Sequence, residues 1–230
     1  MMQGEEAKKS SVPIVGIAAI LIVVVSVAMM IIALNGAKKT EKDDSGNATS
    51  ETFAGETIGE HERGKLDSDV VVLEYADMQC PGCASMMSTM EGLYGKYGDR
   101  VKFVYRHYPL AMHQNATQAS IAVEAAGRQG FFWEMLSSVF ESQADWGYLS
   151  GNRLTTEFVN VFKTASDGKG DLGKFKNDYS SDTALRDKVN TDKELGVKDE
   201  LNATPTILVN GEKVDLSKSK IEAAIEEALK

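Results

Sequence analysis

Cys80 and Cys83 are the only two cysteines among 230 residues, and they stand as Cys80-Pro81-Gly82-Cys83. Thiols this close can bond with each other or with a visiting thiol, which is what a dithiol–disulfide exchanger requires. Pro81 presets φ near the helical value and lacks an N–H that a first helical turn leaves unpaired anyway, so a helix is predicted to start there. Cys80 then sits at the positive end of that helix, where a thiolate is favoured over a thiol. Two other uses of the pair fit less well. Structural zinc takes four N or S ligands, and His61, His107 and His113 lack knuckle-like spacing to the cysteines. No metal is expected. A purely structural bridge across so short a loop would restrict the unfolded chain little, because that effect grows with loop length.

The elements around the pair are read from periodicity. Val70 to Tyr75 is apolar nearly throughout and rich in β-branched residues, as a central strand is. Glu74 interrupts it. A carboxylate inside a buried strand is costly without a partner or a role, and two readings stay open. Glu74 either alternates onto a wet face, or is a buried acid beneath the cysteines that relays a proton to and from Cys83. The helix after Cys80 carries Cys83, Met86, Met87, Met90, Leu93, Tyr94 and Tyr97 at helical spacing, with Gly95 and Gly98 as its end. Met86 and Met87 are read as core, although methionines also suit surfaces that accept varied partners.

Val101–Tyr108 alternates like a strand and stops at Pro109. From Asn115 to Ala165 the pattern is helical, with a small-residue stripe of Ala116, Ala119, Val123 and Ala126, a break at Gly127 and Gly130, and a loop over Asp145–Asn152. Trp133 and Trp146 are read as packing residues. Asp167–Asp171 resembles a calcium loop only superficially, since Lys169 takes a ligand position and Leu172 the glycine position. Thr183–Leu195 is predicted as a helix with Gly196 as its C-cap. Pro205 precedes a strand at Thr206–Val209, where a cis bond would be a deliberate feature. Asn210-Gly211 then signals a hairpin. A last helix covers Ser217–Leu229. Strand, helix, strand, several helices, strand, hairpin strand and helix make an α/β protein.

The formal charge of −9, without a basic stripe, argues against nucleic acid as a partner. After a short tail at residues 1–11, residues 12–34 form an uncharged apolar run long enough to span a bilayer. The run is longer than a secretory signal core and ends without a small-x-small cleavage site, so it is read as an uncleaved transmembrane anchor. Lys8 and Lys9 before it and Lys38, Lys39 and Lys42 after it leave the orientation undecided by charge. The domain is placed outside the cell membrane because a reactive pair acting as an oxidant belongs in an oxidising compartment. Residues 35–60 are polar and read as a flexible tether reaching about 25–30 Å r.m.s.. Residues 61–230 form the folded domain.

Together the Cys-Pro-Gly-Cys helix, Glu74 with the Tyr75-Ala-Asp-Met-Gln79 lead-in, Arg106-His-Tyr-Pro-Leu110 with His113, Ala125–Trp133 and Thr204-Pro-Thr-Ile-Leu-Val-Asn-Gly211 resemble the DsbA-like family of extracytoplasmic thiol:disulfide oxidoreductases. The resemblance covers about residues 64–230. It implies a thioredoxin fold, a central mixed sheet flanked by helices, with a helical insertion over about 114–192. It also implies that Cys80 is the exposed nucleophile, Cys83 the buried resolving thiol and Glu74 the buried acid. Pro205 would be the cis-proline facing the pair, and Thr204 before it would tune that contact. Pro81, Gly82, Thr204 and Pro205 would then meet the substrate. The best-known oxidases of the family carry histidine where this chain has Gly82, and that histidine stabilises the nucleophile's thiolate. A less oxidising pair is therefore expected here.

These features and the resemblance lead to an expected enzyme without a cofactor, monomeric, that donates disulfides to exported thiol proteins and is reoxidised by a membrane redox partner. Residues 12–34 would hold it in the lipid bilayer. A membrane-tethered reductase or isomerase is the rival within the same chemistry. A thioredoxin-like chaperone or binding module is the rival outside it.

Overall fold

The apolar run ahead of the cysteines becomes the middle strand of a five-stranded mixed sheet. In chain order the elements are β1 (Glu51–Phe53), β2 (Glu56–Ile58), β3 (His61–Gly64), β4 (Val71–Ala76), α1 (Pro81–Tyr97), β5 (Lys102–His107), α2 (Ala116–Gly127), α3 (Phe132–Glu141), α4 (Gln143–Trp146), α5 (Gly151–Ala165), α6 (Leu172–Ser181), α7 (Thr183–Lys198), β6 (Thr206–Val209), β7 (Glu212–Lys213) and α8 (Lys218–Ala228). The computed structural model describes residues 51–53 and 56–230. The anchor expected at residues 12–34 lies outside the described residues. Among the described residues no helix is long and apolar enough to cross a membrane.

The sheet order is β3-β5-β4-β6-β7, with β4 parallel to β5 and antiparallel to β6. This is the thioredoxin fold, with helices α2 to α7 inserted between β5 and β6. Strand alternation sorts β4 into two faces. Val72 packs with Met90, Leu93 and Tyr97 of α1 and with Ile221 and Ile225 of α8. Tyr75 packs on the opposite side with Tyr108, Leu201 and Leu208. Glu74, two residues from Val72, therefore lies on the α1 side. The third core joins Ala76 and Cys83 to the insertion through Ile121, Met135, Trp146 and Phe158.

Two fasteners hold the insertion to the sheet. Glu124 of α2 is buried between His61 of β3, at 2.8 Å, and His107 of β5, at 3.1 Å. Burial alone would raise its pKa, but the two imidazoles hold the carboxyl well below its ordinary range. The second is Asp192 of α7, which accepts the His107 backbone N–H at 3.1 Å and pairs with Lys188.

Several expectations need correction. Gly95 does not end α1; it lies exposed inside the helix, and Gly98 alone follows the last turn. The loop expected over Asp145–Asn152 is shorter, because α4 runs to Trp146 and α5 begins at Gly151. Helix α6 is not expected from the sequence pattern. It is mostly polar, starts at Asp171, whose carboxylate accepts the Lys174 N–H, and buries only Phe175, Asp178 and Tyr179. Strand β3 is likewise unexpected, since His-Glu-Arg-Gly has no strand signal and is ordered by pairing with β5. Within the stretch read as a tether, β1 and β2 pair as a hairpin.

Gly196, expected to cap a helix, lies buried within α7. A Cβ there would come within 2.6 Å of the Tyr108 ring and 3.2 Å of the Tyr75 ring. The glycine lets the helix pass close over two aromatic side chains of the core. Overpacking costs roughly 1–3 kcal/mol, against a helix-propensity gain of about 1 kcal/mol for alanine over glycine. Gly196→Ala should therefore lose about 1 kcal/mol in urea unfolding of the full chain. Gly95→Ala, with nothing near the new methyl, should gain roughly 0.5–1 kcal/mol.

Candidate active site

Cys80 is the N-cap of α1, with extended backbone (φ −76°, ψ 121°), and Pro81 opens the helix. The local chemistry explains this geometry: proline sets the first helical φ, and the Cys80 carbonyl accepts the N–H groups of Cys83 (3.1 Å) and Ala84 (3.2 Å). Both cysteines are free thiols; Cys80 is half-buried and Cys83 is 0 % exposed. One turn of helix thus leaves one sulfur accessible and places the other beneath it.

The Thr204–Pro205 peptide is cis and faces this helix tip. The Cys80 Sγ lies 3.5 Å from the Thr204 carbonyl oxygen. A Cβ on Gly82 would lie 3.3 Å from Pro205 Cδ and 3.5 Å from Cys80 Sγ, so Gly82 borders both. The structure therefore brings together Cys80, Pro81, Gly82, Cys83, Thr204 and Pro205. The Thr204 hydroxyl, buried and otherwise without a partner among the described residues, favours the Cys83 thiolate.

Glu74 is 7 % exposed, beneath α1 rather than on a wet face. Burial pushes its carboxyl from 4.5 up to about 7, with Arg63 opposing the rise and Glu91 adding to it. Burial likewise pushes the Cys83 thiol far up, opposed by the Asp77 N–H, while Cys80 and Glu74 add to the rise. On and beneath the one helix there thus lie a buried thiol that resists ionisation and a buried acid that titrates near neutrality.

Asp77 belongs to the site, although by sequence it stands out only as part of the lead-in to the cysteines. Its N–H donates to Cys83 Sγ at 3.4 Å. Its fully buried carboxylate accepts the backbone N–H groups of Gln79 and Leu110, each at 2.7 Å, and meets His113 Nδ1 at 2.8 Å. An aspartate bonding the N–H two residues on is a turn-forming habit of that side chain, and it is the one local signal available. Gln143 of α4 donates to the carbonyls of Met78 (2.7 Å) and Cys80 (3.1 Å), so the insertion grips the active-site loop directly. Beside Pro81 an open groove of about 750 Å³ is lined by Gln79, Met112, His113, Gln143 and Tyr148. Met112 and Tyr148 are 81 % and 89 % exposed.

Residues 56–227 match the family model described as Thioredoxin, about three quarters of the chain. Among solved structures, BdbD from Bacillus subtilis in its oxidised form superposes with a TM-score of 0.63 at 26% identity, over 74% of this chain and 92% of that one. DsbA2 of Pseudomonas aeruginosa gives 0.58 at 22% identity, over 74% and 94%. MdbA, a thiol-disulfide oxidoreductase from Corynebacterium diphtheriae, gives 0.58 at 20% identity, over 84% and 93%. The Na(+)/H(+) antiporter NhaA 1 of Mycolicibacterium vanbaalenii is 33% identical over 154 residues, which are 66% of this chain and 23% of the antiporter. That of Mycolicibacterium gilvum is 32% identical over 156 residues. The chain spans about a quarter of the length of these curated relatives, and the transport activity in their name is theirs. This chain belongs to the thioredoxin family, and its fold is the DsbA-like one.

The raised pKa of Glu74 has a sign that unfolding can read. The fold disfavours its carboxylate, so stability from this group is intact below about pH 4.5 and is lost as pH rises through about 7. That interval corresponds to about 3 kcal/mol as an upper bound. Glu74→Gln should therefore stabilise the reduced full chain at pH 8, by up to about 3 kcal/mol in urea unfolding, and give no such gain at pH 4.

Proposed function

We propose that this thioredoxin-family oxidoreductase donates disulfides to exported proteins, held at the cell membrane by residues 12–34 with its catalytic domain outside. One observation carries the reading: an accessible Cys80 sulfur at a helix tip beside cis-Pro205, backed by a buried Cys83 and a titratable Glu74. The kinship with DsbA-like structures supports the chemistry. The 23-residue uncharged run and the polar residues 35–50 support the tethering.

The cycle begins with the Cys80–Cys83 disulfide. A substrate thiolate attacks Cys80 Sγ, the S–S bond breaks, and the electron pair passes to Cys83. Cys83 is buried, and its thiolate takes a proton from Glu74. A second substrate thiolate then attacks the substrate sulfur of the mixed disulfide, and Cys80 leaves as the thiolate. The substrate has lost two electrons and the enzyme has gained them. A membrane redox partner removes them in the reverse sequence, with Glu74 accepting the Cys83 proton as that sulfur rejoins Cys80. The Thr204–Pro205 edge and the groove beside Pro81 flank Cys80 where an extended substrate segment can lie.

Oxidation of a reduced, unfolded substrate by the oxidised full chain tests this. Cys80→Ser should abolish the reaction, and Cys83→Ser, given instead a substrate that already carries a disulfide, should accumulate the mixed disulfide through Cys80, visible as a mass increase that dithiothreitol removes. Undiminished function in Cys80→Ser would instead favour a binding module. Equilibration with glutathione buffers should place the pair below the strongly oxidising limit of about −120 mV. Gly82→His, whose Cβ would sit 3.5 Å from Cys80 Sγ, should move it toward that limit. A wild-type potential in the reductase range, near about −270 mV, would reverse the assigned direction of electron flow.

A further inference from the structure

Glu74 has charged company under α1 that the disulfide-exchange cycle does not use. Its register partners are Tyr105 in β5 and Ile207 in β6, so the strands on either side of it contribute a buried phenol and an apolar residue. Helix α1 contributes Cys83 and, two turns on, Glu91. Edge strand β3 contributes Arg63, which is in register with Phe103 of β5 and so shares the α1 face.

The setting of Arg63 is specific. Its guanidinium carbon lies 4.1 Å from the centre of the Tyr94 ring and 4.2 Å from that of Trp133. Its NH2 group donates to Glu91 Oε1 at 2.5 Å. Its Nε is buried without a partner among the described residues. Two aromatic faces hold a guanidinium in place without cancelling its charge. Glu91 neutralises it only in part, because the Glu91 side chain is 42 % exposed and that of Arg63 only 14 %. The charge nearer the core is therefore the positive one.

We propose that Arg63 and Glu91 are positioning residues of opposite effect that together set how readily Glu74 exchanges its proton with Cys83. Arg63 favours the Glu74 carboxylate; Glu91 opposes it. The net effect of the pair is thereby to oppose the rise that burial imposes on Glu74. Neither residue touches the reacting sulfurs. This rests on reading Glu74 as the proton carrier.

A pair that merely fastened β3 to α1 would behave alike whichever partner were removed. The test therefore compares the two partners in the full chain. The Glu74 midpoint is followed by NMR of ¹³C-labelled glutamate carboxyls, and the rate at which Cys83 resolves a mixed disulfide on Cys80 is measured against pH. Arg63→Gln should move the midpoint up by roughly one pH unit. Glu91→Gln should move it down by less, and Arg63→Lys should stay near the parent. The resolution-rate profile should move with the midpoint in each variant. Shifts in the same direction for Arg63→Gln and Glu91→Gln, or no shift in either, would overturn the proposal. If Arg63→Gln does not fold, the half-exposed Glu91→Gln decides by itself: a downward shift upholds the proposal, and an upward or absent one overturns it. Midpoints that separate while the resolution rate ignores them, with Glu74→Gln equally fast, would overturn Glu74 as proton carrier and leave the charge coupling standing.

Discussion

A sulfur buried in an apolar core cannot be left as a bare thiolate, because the charge has no water to stabilise it. Cys83 is in that position, and the rest of the site answers to it. The Asp77 N–H points at its sulfur, Thr204 lies beside it, and Glu74 is lodged under the same helix with a carboxyl that titrates near neutrality. The asymmetry between the two cysteines comes from one helical turn. It leaves the Cys80 sulfur accessible and the Cys83 sulfur away from solvent.

Holding this arrangement requires the strand-to-helix loop to be rigid, and polar side chains achieve that. Asp77 closes the loop on itself through Gln79 and fastens it to Leu110 and His113. Gln143 reaches in from the insertion to the carbonyls of Met78 and Cys80. Asn115, just before α2, donates to the carbonyls of Gly147 (3.1 Å) and Leu149 (2.9 Å), which steadies the segment after α4. The insertion is therefore part of the active-site scaffold. These side chains bond backbone groups in part-buried surroundings, where leaving a polar group without a partner costs about 1–3 kcal/mol. That is reason enough for amides and an aspartate in an otherwise apolar setting.

Farther from the sulfurs, Glu124 and Asp192 join the sheet to the insertion at His107. Gly196 brings α7 against Tyr75 and Tyr108. Tyr75 in turn donates to Asp199 at 3.0 Å and accepts from Arg106 at 2.9 Å. The two faces of β4 thus have different tasks. One carries Glu74 beneath the reactive helix, and the other anchors the last helix of the insertion.

The sequence by itself determined what neighbouring residues impose on one another. Pro81 started α1 where its fixed φ requires, the spacing of Cys80 and Cys83 made them partners, and Asn210-Gly211 formed the turn that their positive φ values (49° and 85°) allow. The central strand was legible because β-branched residues crowd there. Only the tertiary structure decided matters settled by residues far apart in the chain. Whether Glu74 is wet or buried depends on α1 closing over it. The pairing of Arg63 with Glu91, and of Asp77 with His113 across 36 positions, has no local signature. Gly196 as a contact rather than a cap, and β3 as a strand, likewise depend on the partner surfaces that meet them. Local rules act through dihedral angles and periodicity; a carboxyl's proton affinity and a glycine's purpose depend on what the fold sets beside them.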